Sequence, residues 1–260
     1  MANSTFVKFG TQSLLGTIAI ATVIGIGSPA HAYTFFFGED LGLGEGTRLP
    51  NTPNADAARK NFLSNLVRVG VATETFESFA PGTTLPLPIT FPGAGTATLQ
   101  GDGTINNVPT GTNGSGRYPI SGDQYFDTSS ASFSVDLTAP VAAFGFYGID
   151  VGDFNGKLTL TLANGGTETF SVPNTVSSLG GSALYYGIIA SDPSEVFTQV
   201  TFGNTAAGSD VFGFDNLTIG SIEQVKAVPE ATSMLGVLAF AAFGTASKVK
   251  RKQLKATAKG

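Results

Sequence analysis

The chain has 260 residues and a formal net charge of −5, with no Cys, no Trp and one His beside 34 Gly and 21 Phe. Without Cys there are no disulfides, thiolate metal sites or cysteine nucleophiles, and no residue to acylate as a lipoprotein anchor. A charged fraction of 13% against 42% hydrophobic excludes wholesale disorder and suits short strands and tight turns better than a helical bundle.

Residues 1–32 carry a single charge, Lys8, followed by an apolar stretch over 14–26 and the small-x-small site Ala30-His31-Ala32. This order reads as a secretory signal, cut by signal peptidase so that the mature chain begins near Tyr33. The competing reading is an uncleaved membrane anchor. Cleavage discards His31, the only histidine, and with it Ser-His-Asp triads and zinc sites built on His. Residues 33–230 hold all 19 acids against seven bases. A body so acidic repels nucleic acid.

Residues 33–37 form an apolar run and a first strand. Asn54 or Asp56 caps a helix over about 57–69, with Ala58, Phe62, Leu66 and Val69 on one stripe that packs on the edge or face of a sheet. From Thr73 the period becomes two. Strands are expected at 75–79, 96–99, 124–126, 132–137, 141–149, 157–162, 167–172, 183–189, 197–202 and 211–219. Residues 81–95 act as a Pro/Gly break, 101–122 as a long surface loop, and Asn164-Gly165 as a hairpin turn. About ten short strands at this spacing predict an antiparallel β-sandwich with one short N-terminal helix; pattern alone leaves a closed barrel open.

Nucleotide motifs are missing: there is no P-loop lysine and no strand-linked dinucleotide fingerprint. Asp150-Val151-Gly152-Asp153-Phe154-Asn155-Gly156 superficially suggests a calcium loop. Alignment on Asn155-Gly156 puts Val151 and Leu162 where ligating acids belong, so it reads as an acidic turn. Glu77 and Asp215 lie amid Phe residues near the two ends of the strand series. An unpaired buried carboxylate there is costly; bound Ca²⁺, turn amides or a salt bridge to Arg117 would each relieve it. Tyr118 and Tyr125 flank the end of the polar loop. They either line a ligand surface or pack inward with the hydroxyl reaching water.

At the C-terminus Val228-Pro229-Glu230 precedes an uncharged apolar span at 231–247 and a basic tail at 248–260 with six Lys/Arg and no acid. At ~1.5 Å per residue such a helix falls slightly short of a ~30 Å hydrocarbon core, and flanking lysines can snorkel. These three parts in this order resemble a PEP-CTERM sorting signal, with Ala231 where that family has its second Pro. The resemblance implies export in a Gram-negative bacterium that makes exopolysaccharide, transient anchoring through a transmembrane helix, and processing at 228–230 by an exosortase-type membrane protease. A plain membrane anchor is the alternative.

The middle of the chain is similar to the jelly-roll ectodomains found upstream of such signals. The likeness rests on Asn61-Phe62-Leu63, Thr75-Phe76-Glu77-Ser78-Phe79, Gly116-Arg117-Tyr118-Pro119 with Gly122-Asp123-Gln124-Tyr125, Phe144-Gly145-Phe146-Tyr147-Gly148 and Phe212-Gly213-Phe214-Asp215-Asn216-Leu217-Thr218-Ile219. It implies a jelly-roll-like sandwich, and in carbohydrate-binding members a structural calcium between acids of the first and last strands, here Glu77 and Asp215. The expected organisation is a signal peptide (1–32), an N-terminal strand, loop and helix (33–72), a sandwich (73–222) and the sorting signal (223–260). The first functional reading is a non-catalytic cell-envelope or matrix protein delivered to the cell surface. The second is a polysaccharide-binding module, and the third a secreted hydrolase using carboxylates alone.

Overall fold

The computed structural model describes residues 33–67, 70–109, 116–128, 133–151, 155–203 and 211–226. In chain order the elements are β1 (Tyr33–Asp40), α1 (Pro53–Ser64), β2 (Ala72–Glu74), β3 (Leu87–Phe91), β4 (Gly95–Gln100), β5 (Thr104–Asn107) and β6 (Gln124–Thr128). They continue as β7 (Ser134–Val141), β8 (Ala143–Ile149), β9 (Lys157–Leu162), β10 (Thr167–Ser171), β11 (Ala183–Ala190), β12 (Phe197–Gly203) and β13 (Phe212–Gly220).

These strands make two antiparallel sheets. One runs β1-β11-β8-β13-β6-β5, with β2 also on β13; the other runs β10-β9-β12-β7-β4-β3. The mainly β, two-sheet sandwich with one helix thus agrees with the alternation in the sequence. Strands of the six-stranded sheet alternate buried and exposed residues, as in Leu87-Pro88-Ile89-Thr90-Phe91, because only one face meets the core. Strands β8, β11 and β13 are buried throughout. Their inner face packs on the other sheet, and the outer face of β8 and β11 lies beneath α1 and its neighbouring loops.

α1 starts at Pro53, earlier than the 57 expected, and ends at Ser64. Neither Asn54 nor Asp56 is the cap. Thr52 occupies that position without a capping side-chain bond, and the carboxylate of Asp40, at the end of β1, accepts the Asn54 and Ala55 amides at 3.0–3.2 Å. Phe62 plugs the helix into the sheet at Gly145 and Gly187, which face each other across β8 and β11.

Three expected segments differ. The strand expected at 75–79 is absent: β2 stops at Glu74, whose carboxylate accepts the Phe76 amide at 2.5 Å, and Phe76 turns to φ +62°. The 81–95 stretch contains β3, where Pro88 is tolerated because β3 is an edge strand that needs no donor on its open side. The 101–122 loop contributes β5 to the edge of the seven-stranded sheet. The expected signal peptide, Val69 and the expected C-terminal helix fall outside the described residues, among which no helix is long and apolar enough to cross a membrane.

Candidate functional site

β13 is shared by two partners along one edge. Phe212–Phe214 pair with β6, Leu217–Ile219 pair with β2, and the pairing with β8 on the other edge shifts between Asp215 and Thr218. Asp215 sits in this interruption, followed by Asn216 at φ +52°. Its Oδ2 accepts the amides of Ile120 (2.7 Å) and Ser121 (2.9 Å), and its Oδ1 that of Asn216 (2.6 Å). Glu77 Oε1 accepts the next amides along, Asp123 (3.0 Å) and Gln124 (2.7 Å).

The structure thus brings Glu77 and Asp215 onto one segment, but in unlike environments. Asp215 is 0% exposed, whereas Glu77 is exposed, so only one of the two carboxylates is buried. Burial, with the negative charge of Glu77 adding to it, pushes Asp215 up to about 7 against the pull of its three amide donors. Such a value suits a general acid, yet the group is sealed from solvent and its oxygens are committed to backbone. The donor set does not suit Ca²⁺ either. The positive ends of N–H dipoles aim at the oxygens a cation would take, and among the described residues no three acids converge. Turn amides satisfy Asp215. Arg117 instead pairs with Asp127 (3.2 Å) and Asp150 (3.4 Å).

Tyr118 and Tyr125 are each 1% exposed, so neither offers a ring face to a ligand. They belong to the second core, with Phe62, Tyr147 and Tyr185. The Tyr118 hydroxyl donates to the Gly181 carbonyl at 2.7 Å, which explains why the ring turns inward. Tyr147 lies in this core too, as its place in an apolar strand implies. Of the export residues, Tyr33 opens β1 and donates its hydroxyl to the Glu195 carbonyl at 3.0 Å. Ala30, Ala32, Val228, Pro229 and Glu230 lie outside the described residues.

The sequence did not single out one open aromatic surface. β1 and β10 are terminal strands of different sheets, and both edges fall on one side of the sandwich. Residues 33, 35 and 37 of β1 face inward there, by strand alternation, and meet Phe170 of β10. Phe170 packs edge-on against Tyr33 (5.2 Å) and Phe35 (5.0 Å), and Phe35 stands 6.3 Å from Tyr186 of β11. Between them opens a cleft of about 310 Å³ lined by Phe35, Phe37, Phe170 and Tyr186, with Thr169 and Ser171 at its rim. Phe35 remains 46% exposed. Aromatic walls are the chemistry that stacks on the apolar C–H face of a sugar ring; the Thr169 hydroxyl is paired with that of Thr159 on the other face of β10.

The chain matches no protein-family model and no curated protein. Solved structures give remote likenesses. The CBM22-1 xylan-binding domain from Paenibacillus barcinonensis is 16% identical, over 61% of this chain and 96% of that one, at a TM-score of 0.36. The C-terminal family 22 carbohydrate-binding module of Clostridium thermocellum is 14% identical, over 61% and 99%, at 0.34. The K2 cleaved adhesin domain of Lys-gingipain is 15% identical, over 57% and 97%, at 0.33. The chemistry of the cleft stands on its own geometry.

Proposed function

We propose that this is an exported, non-catalytic cell-envelope protein whose sandwich binds polysaccharide through the cleft between β1 and β10. The observation that carries this reading is the open aromatic cleft itself. A strand-edge gap that served only the core would be closed, whereas here Phe35 keeps nearly half its surface in water. Leaving it so costs about 1 kcal/mol of unburied apolar surface, which a stacked sugar ring would recover. Export and processing are supported by the order of charges and apolar spans at the two chain ends, as set out above.

The test is affinity electrophoresis of the purified protein through gels carrying a panel of neutral polysaccharides, xylan included. At least one polysaccharide is expected to retard the protein, with F35A and F170A each abolishing most of the retardation. Because Phe35 is half exposed, F35A is expected to leave the melting temperature nearly unchanged. No retardation by any polysaccharide, or equal retardation of F35A and the parent, would sink the reading.

A further inference from the structure

A second surface, distant in chemistry from the aromatic cleft, lies along α1. The helix and the 70–74 segment border a groove of about 690 Å³, lined by Arg59, Lys60, Ser64, Tyr147 and Thr73 over an apolar floor that includes Leu63 and Val71. Residues 33–230 have only seven bases, and two of them, Arg59 and Lys60, stand side by side here. Arg59 Nε is buried and has no hydrogen-bond partner among the described residues. A buried guanidinium nitrogen without an acceptor costs on the order of 1–3 kcal/mol, so the arrangement is a standing demand for an acceptor from outside.

Among the described residues, the one acid lining the groove does not meet that demand. Asp56 Oδ1 accepts the Tyr147 hydroxyl at 2.6 Å and the Thr52 hydroxyl at 3.1 Å. Beneath the helix the Tyr185 hydroxyl is also buried without a partner among the described residues, and the charge of Arg59 reaches it. Guanidinium recognises a carboxylate through paired N–H donors, and a neighbouring ammonium adds charge without imposing geometry. The Ser64 hydroxyl donates to the Asn61 carbonyl and the Thr73 hydroxyl pairs with that of Thr218, so beyond the two cations the groove offers an apolar floor, which suits the face of a sugar ring better than a bare inorganic ion.

We propose that the groove between α1 and residues 70–74 binds a carboxylate-bearing sugar, a uronate, with Arg59 as the carboxylate anchor and Lys60 as the second cation. An acidic body with one recessed cationic groove discriminates by charge: it repels anions broadly and accepts the carboxylate only where Arg59 is presented.

The experiment is calorimetric titration of the purified full chain with trigalacturonate, with neutral xylotriose and with acetate. Trigalacturonate is expected to bind saturably and to weaken as salt is raised, while xylotriose gives no heat at this groove and acetate binds far more weakly. R59Q is expected to lose about tenfold or more in affinity, and R59K to fall between, since it keeps the charge without the fork. K60Q, at an exposed position, covers the case in which R59Q does not fold, and is expected to lose a smaller factor. F35A is expected to leave trigalacturonate binding unchanged, which separates this groove from the aromatic cleft. No saturable trigalacturonate binding, binding equal in R59Q and the parent, or equal affinity for acetate would overturn the proposal.

Discussion

Glu77 and Asp215 hang from one strip of backbone: Ile120 and Ser121 donate to Asp215, and Asp123 and Gln124 to Glu77. The strip bridges the gap that β6 and β2 leave along β13, so two carboxylates replace a stretch of sheet hydrogen bonding. Asp215 is the member at risk, because its charge is buried beside that of Glu77.

A pH dependence of stability follows. In the unfolded chain Asp215 titrates near its ordinary 3.8, and in the folded chain near 7. Between these values the folded state holds a proton that the unfolded state has released. The contribution to stability is therefore complete below about pH 4 and is lost as pH rises through 7, at up to about 1.4 kcal/mol per pH unit. The melting temperature is expected to be higher at pH 5 than at pH 8. E77Q keeps a carbonyl oxygen for the Asp123 and Gln124 amides but removes the neighbouring charge, so it is expected to move this transition to lower pH. A melting temperature that rises from pH 5 to pH 8 would show that the three amides on Asp215 outweigh its burial.

Calcium offers an independent check on the same pair. With N–H donors directed at both oxygens of Asp215, millimolar Ca²⁺ is expected to leave the melting temperature unchanged, and a chelator likewise. Differential scanning calorimetry with and without Ca²⁺ decides it. A clear rise with Ca²⁺ would mean that the segment at 120–124 rearranges to free those oxygens for the metal.

The sandwich was legible because alternation survives wherever one strand face meets water, as in Leu158, Leu160 and Leu162 between exposed or half-exposed neighbours. The β9–β10 hairpin followed from Asn164-Gly165, with Gly165 at φ +86°. What stayed hidden depends on partners distant in sequence. Asp40 caps α1 from another element, and Glu77 looked buried because Phe flanks it, although Phe76 and Phe79 pack toward the core while the bend leaves Glu77 exposed. Phe35 and Phe170 alternate like core residues and indeed face the sandwich interior. No local pattern reveals that β1 and β10 end their sheets on the same side and leave those rings a gap.

The docking of α1 makes a steric prediction. A Cβ at Gly187 would lie 2.6 Å from Phe62 Cδ2, and one at Gly145 would lie 3.0 Å from Phe62 Cε1. Phe62 is fully buried and cannot swing out without exposing the second core. G187A is therefore expected to destabilise by about 1–3 kcal/mol through overpacking, and F62A by about 3–5 kcal/mol through a cavity. In the double variant F62A/G187A the added methyl enters space that Phe62 vacated. Its cost is expected to fall below the sum of the two single variants, as measured by urea denaturation. Strict additivity would mean that Gly187 is sensitive for a reason other than Phe62.

Processing at the chain end can be tested separately from either sugar site. Val228-Pro229-Glu230 stands just beyond Lys226, whose amide is bonded to the Asn65 carbonyl at 2.9 Å. The described body is thus tied down as far as Lys226, two residues before the motif in sequence. On the proposed reading, a membrane protease would have to reach the motif close to the folded domain. Changing Pro229 to Ala or Glu230 to Gln is expected to leave a larger, membrane-retained form, seen by fractionation and by mass spectrometry of the mature C-terminus. Lengthening the link after Lys226 with a short Gly/Ser stretch is expected to preserve processing, since only access, not the fold, changes. Unaltered size and distribution in both motif variants would leave residues 231–247 as a plain anchor.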